Sequence, residues 1–226
     1  MDTFNYTYSF CFNKDEDIVF NLAIDKHKLL VYNLSPDNHS EWTRLEHNKC
    51  KNCSLLDEEY CPVAINLEPI ISKFGNKRSY DQTNVEVQSF DRSTSCETTL
   101  QRSVSSLLGL VMATSACPHT VFLRPMARFH LPFATDEETI VRASSFYLLS
   151  EYFNNDNQNE FDIKLEKLKE SYRQLHIVNE GLAERLRTVV EKDAAVNAII
   201  LLDLFAKALP YSIDEALSEV NYIFTQ

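Results

Sequence analysis

The chain has 226 residues, 44% of them hydrophobic, and a formal net charge of −11, with 33 acidic residues against 22 Lys and Arg. This is the composition of one folded globular unit, and its 3 Gly and 7 Pro exclude collagen-like and linker-like character. The acidic excess opposes binding to nucleic-acid phosphates and to anionic lipid surfaces, so neither is expected as a partner.

Residues 4–33 read as a β-meander. Phe4, Tyr6, Tyr8, Phe10 and Phe12 alternate with small or polar residues, the period of a half-buried strand. NKDED makes a turn, IVFNLAI a second strand, and LLVYNL a third after DKHK. Residues 35–61 carry loop chemistry with Trp42 as an anchor, and so long an irregular stretch calls for a staple.

Pro62 opens a helix in which Pro69 is a candidate break and Gly75 a candidate stop. SYDQTNVEVQSF resembles an extended segment. Thr94 and Glu97 have capping-box spacing, ahead of a stripe of Leu100, Val104, Leu107, Leu108 and Met112. Residues 115–134 contain three prolines and cannot be one helix. Thr135 and Glu138 form a second capping box for a helix to about Phe153, before the polar loop NNDNQNE.

From Phe161 the residues Leu165, Leu168, Tyr172, Leu175, Asn179, Leu182, Leu186 and Val189 alternate spacings of four and three, a coiled-coil-like seam. A further helix runs from about Asp193 and is expected to stop near Pro210, with Ser212 and Glu215 capping a last one. The fold expected is α+β: a small N-terminal antiparallel meander packed on a larger C-terminal helical bundle. Residues 1–34, 35–93 and 94–226 divide it into meander, Cys-rich segment and bundle within one compact unit.

No basic and apolar leader and no run of ~18 apolar residues is visible, so a cytoplasmic protein without a membrane span is expected. Its six cysteines then read as thiols or metal ligands. His47, Cys50, Cys53 and Cys61 are spaced H-x2-C-x2-C-x7-C, a candidate zinc set, with Cys117 or His119 as alternative fourth ligands.

A second cluster is CPHTVFLRPMARFH. No Asp or Glu lies between Glu97 and Asp136, so Arg124, Arg128 and His130 make a candidate site for a small anion. The plainer reading is a buried segment whose arginines pair elsewhere. Cys117 with His119 or His130 is a weak candidate thiolate–imidazole pair. Asn179 on the seam, with His176 and Asp203 nearby, reads as register-fixing polarity; the Glu-x-x-His pairs of a di-iron bundle are absent. Dinucleotide, P-loop, zincin and α/β-hydrolase motifs are also absent.

The order C-x2-C, YCPVAINL, SLLGLVMATSACPHT, RPMARFHLPFATDEETIVRASSFYLLSEYF and DAAVNAIILLD resembles an uncharacterised bacterial family of about this length, from Trp42 almost to the C-terminus. The resemblance implies a stand-alone bacterial cytosolic protein and transfers no catalytic residue. Three functions remain open. The first is a non-enzymatic protein with structural zinc that binds a protein partner or a small anionic ligand. The second is a metal- or cysteine-dependent enzyme of hydrolase type. The third is a metal-free interaction module. The apolar seams permit a homodimer.

Overall fold

The computed structural model describes residues 2–12, 16–35, 38–154 and 161–225. Most of the expected NKDED turn and NNDNQNE loop, and Pro36 of the segment after the meander, lie outside the described residues.

Strands β1 (Thr3–Cys11), β2 (Ile18–Asp25), β3 (Gln82–Gln88) and β4 (Ser93–Thr99) form one antiparallel sheet in the order β2-β1-β3-β4. Alternation sets the register: Tyr8 faces Phe20 on β2 and Val87 on β3, and all three are buried. A one-residue slip would turn that apolar row to solvent. The sheet thus draws two strands from beyond the N-terminal meander, and the expected third strand at 29–34 does not form. Leu29 takes φ 55, and Val31 makes a single bridge to Ile24. The Val31 N–H goes instead to the carbonyl of Thr114, beyond the end of a helix.

Thr94 and Glu97 cap nothing. They pair across β3 with Val87 and Asn84, and β4 runs directly into α2 (Leu100–Ala113). Cross-strand pairing outcompeted a local capping pattern. The apolar face of α2, with Leu100, Val104, Leu107 and Leu108, lies in the same core as the sheet. So does the end of α1 (Pro62–Phe74), where Phe74 meets Phe10 and Phe20 at ring distances of 4.9 and 5.8 Å. Helix α1 continues through Pro69.

After a 3-10 run at Pro118–Leu123 come α3 (Arg124–Arg128), α4 (Asp136–Asn154), α5 (Glu166–Arg187) and α6 (Ala194–Glu219). The capping box before α4 forms as its spacing predicts: Thr135 N–H donates to Glu138 Oε2 at 2.8 Å, and Glu138 N–H to Thr135 Oγ1 at 3.1 Å. The α5 seam is buried from Leu165 to Leu186, whereas Val189 at its end is exposed.

Helix α6 does not stop at Pro210. Leu209, Pro210 and Ile213 are all buried, and the Ser212 hydroxyl donates back to the Ala208 carbonyl at 3.2 Å instead of capping a new helix. Packing on both sides of the proline outweighs its lost N–H. By length and composition α6, with mean hydropathy 1.5, resembles a membrane-crossing helix; here it packs along α5 and α2.

Candidate functional site

Two regions gather the residues of chemical interest. The first is a corner where the irregular segment meets α5. Cys50 and Cys53 bracket a tight turn, with the Cys53 N–H on the Cys50 carbonyl at 3.0 Å. Cys61 and Cys117 each precede a proline, and each sits in extended backbone immediately before a helix, α1 and the 3-10 run respectively. A residue before proline is pushed into that region, and proline suits the first helical position.

His119 ties these pieces together, its Nε2 standing 2.7 Å from the Asn52 carbonyl inside the cysteine turn. Asn52 in turn donates from Nδ2 to the carbonyl and Oε1 of Gln174 on α5, at 3.0 and 2.9 Å. Gly181 of α5 permits the approach, because a Cβ there would stand 2.9 Å from Cys50 Sγ. His47 is engaged at the C-terminal end of α5, its Nε2 3.0 Å from Thr188 Oγ1.

Burial, reinforced by the thiols of Cys61, Cys117 and Cys53, pushes the Cys50 thiol up to about 12. Burial, together with Cys61 and Cys53, pushes Cys117 up to about 11. These thiols are protonated at neutral pH. Among the described residues, no three His, Cys, Asp or Glu side chains converge as the ligands of a metal ion do.

Arg185 on α5 is the staple that the irregular segment required. It is 1% exposed. Its Nη1 donates to the carbonyls of Trp42 and Arg44 at 2.6 Å each, and its Nη2 to that of Leu45 at 3.3 Å.

The second region is a cavity of about 540 Å³, open to solvent on one side and lined by α2, α3, α4, α5 and α6. Leu110, Met112, Met126, Leu131, Phe133, Leu202 and Phe205 make its wall mainly apolar. Its polar groups are few and placed by the helices. Arg142 of α4 donates from Nη2 to the carbonyls of Met126 and Phe129 at 3.1 and 2.8 Å. Burial lowers its affinity for its proton, against the smaller opposing influence of Tyr172, Glu138 and Tyr6, and it forms no ion pair among the described residues. Asn179, 0% exposed, also lines the cavity, and both its side-chain atoms lack a partner among the described residues. Exposed Arg102 and Asp136 sit at the rim with opposite charges.

His130 reaches the same cavity from its sheet side. Its Nε2 is 2.5 Å from the Tyr8 hydroxyl, which is also 2.9 Å from Ser106 Oγ. Burial pulls the imidazole down to about 3 and raises the tyrosine above its usual range. The hydroxyl of Tyr8 therefore meets a neutral imidazole. Of the three residues predicted as one anion site, Arg128 and His130 share a second cavity, and Arg124 does not join them. Arg128 stacks over Phe4 at 4.8 Å in that second cavity, of about 660 Å³. Arg124, whose buried Nε has no partner among the described residues, lines neither cavity.

A family model for a domain of unknown function (DUF6901) matches residues 6–225. The chain belongs to that family. No curated protein and no solved structure matches it.

In this DUF6901 chain, sequence reasoning missed Arg142 and Arg185. Each stands on a helix among other charged residues, where nothing local separates an inward guanidinium from a solvated one. Asn179 did carry a signal, as a polar residue on an apolar seam.

Proposed function

We propose that the protein is a binding protein for a small apolar molecule bearing one carboxylate, held in the cavity between α2 and α4–α6. The observation that carries this reading is the half-buried guanidinium of Arg142, which borders a mainly apolar cavity and forms no ion pair among the described residues, Glu138 on its own helix acting on it only at a distance. A buried guanidinium is ordinarily paired. Two backbone carbonyls occupy Nη2 and leave Arg142 with further N–H donors for a carboxylate. The unpartnered amide of Asn179 supplies a second polar contact, and the cavity's volume lies in the ordinary range for small ligands.

A binding role is favoured over cysteine catalysis because the thiol of Cys117 is pushed up to about 11, too high for an attacking thiolate at neutral pH. The free state of all six cysteines, with the motif resemblance, supports a bacterial, cytoplasmic setting.

The test is calorimetric titration with decanoate and, as its uncharged counterpart, decanol. Decanoate is expected to bind the wild-type protein about 10–100-fold more tightly than decanol, the worth of a charge-assisted hydrogen bond. Arg142→Met is expected to erase that preference. Equal affinities for acid and alcohol, or an Arg142→Met protein that keeps the preference, would overturn the reading.

A further inference from the structure

We propose that Cys50, Cys53, Cys61 and Cys117 together hold one thiophilic divalent ion, zinc, in a closed four-thiolate site that pins the irregular segment to the bundle. This inference concerns a different part of the molecule from the cavity and stands independently of it.

Three separate stretches of chain deliver these thiols to one corner. The Cys50–Cys53 turn is the two-residue spacing that lets one ion take both sulfurs. Cys61 and Cys117 arrive on matching Cys-Pro helix starts. The hydrogen bond from His119 to the Asn52 carbonyl holds the segment after Cys117 against the Cys50–Cys53 turn, and in this proposal His119 acts as a positioning residue. The remaining cysteines are elsewhere: Cys11 is exposed on β1, and Cys96 lies opposite Val85 in the sheet. The four sulfurs do not converge as ligands in this structure, so binding requires side-chain rotation about fixed backbone positions.

The independent observation is Arg185. Its enclosed guanidinium has three backbone carbonyls as partners and, among the described residues, no carboxylate, while the electrostatic neighbours acting on it are Cys61, Cys50 and Cys53. Four thiolates on a divalent ion carry a net charge of −2, which Arg185 would partly neutralise. On binding, each thiol loses one proton to solvent as its sulfur bonds to the metal, so four protons are released per ion. Nothing is oxidised or reduced. With four protein ligands the site has no open position and serves structure, not hydrolysis.

The experiment titrates reduced, metal-free protein with Co²⁺ as a coloured stand-in for zinc. A sulfur-to-cobalt band saturating at one ion per chain is expected, and zinc should displace it. His47→Ala and Cys11→Ser should keep the band, and Cys117→Ser should weaken or abolish it. Because Cys117→Ser can also fail to fold, wild-type protein is alkylated in mild urea with and without zinc and the modified cysteines mapped. Zinc is expected to protect Cys50, Cys53, Cys61 and Cys117 and to leave Cys11 reactive. No band in the wild-type protein, a band that depends on His47, or zinc protection that omits Cys117 would overturn the proposal.

Discussion

The cysteine corner and the helical cavity each bury an arginine that forms no ion pair among the described residues, and they use it in opposite ways. Arg185 spends both Nη groups on three carbonyls of an irregular segment and is enclosed on all sides. Arg142 commits only Nη2 to carbonyls and borders about 540 Å³ of open space. The contrast teaches that a buried guanidinium becomes a site only where unfilled volume adjoins it. Where backbone carbonyls surround it, the same group organises a loop that cannot form secondary structure.

The sharpest way to break this comparison is Arg185→Leu. It leaves the buried carbonyls of Trp42 and Leu45 without that donor, at about 1–3 kcal/mol for each unsatisfied group, while the part-buried Arg44 carbonyl keeps the His47 N–H at 3.2 Å. A loss of at least about 2 kcal/mol is expected in urea unfolding. A loss below about 1 kcal/mol would mean that the corner is held by something other than Arg185.

An intermediate effect comes from pH. The His130 imidazole is held near 3 in the fold, whereas an unperturbed histidine titrates near 6.5. Between these values the unfolded chain binds the extra proton, so stability is full above about 6.5 and falls as the pH drops through that window. The slope is at most about 1.4 kcal/mol per pH unit. Urea unfolding at pH 7.5 and 5.5 should therefore show a loss that shrinks in His130→Gln. Equal losses in both proteins would remove His130 as the cause.

The smallest effect is expected from Asn179→Leu. Removing two unpartnered buried atoms should leave the unliganded protein as stable as before or up to about 2 kcal/mol more stable. Decanoate binding should weaken at the same time, so that stability and affinity part company. If both fall together, Asn179 is a packing residue and its orphaned amide has no ligand role.

Much of this fold was legible residue by residue. Tyr6, Tyr8 and Phe10 alternate into the core of β1. Thr135 and Glu138 close their capping box. The seam from Leu165 to Leu186 buries one face of α5. The misreadings share one cause. Thr94 with Glu97, Leu29 to Leu34 and Pro210 all carry a clear local pattern, and each was overruled by a partner far away in sequence: β3, the Thr114 carbonyl, and the core beneath α6.

The candidate sites divide in the same way. The Cys50, Cys53 and Cys61 spacing is local and visible in the chain. That Cys117 joins them while His47 turns to Thr188 depends on contacts spanning the chain.

Taken by itself, the sequence determined the fold class, the amphipathic faces, the acidic surface and the clustering of three cysteines, because hydrophobic period, capping chemistry and charge act over a few residues. The tertiary structure alone decided the strand order, the path of α6 through Pro210, the division of labour between Arg142 and Arg185, and the cavity. These depend on which distant surfaces pack together and on where packing leaves volume unfilled, and no local pattern records either.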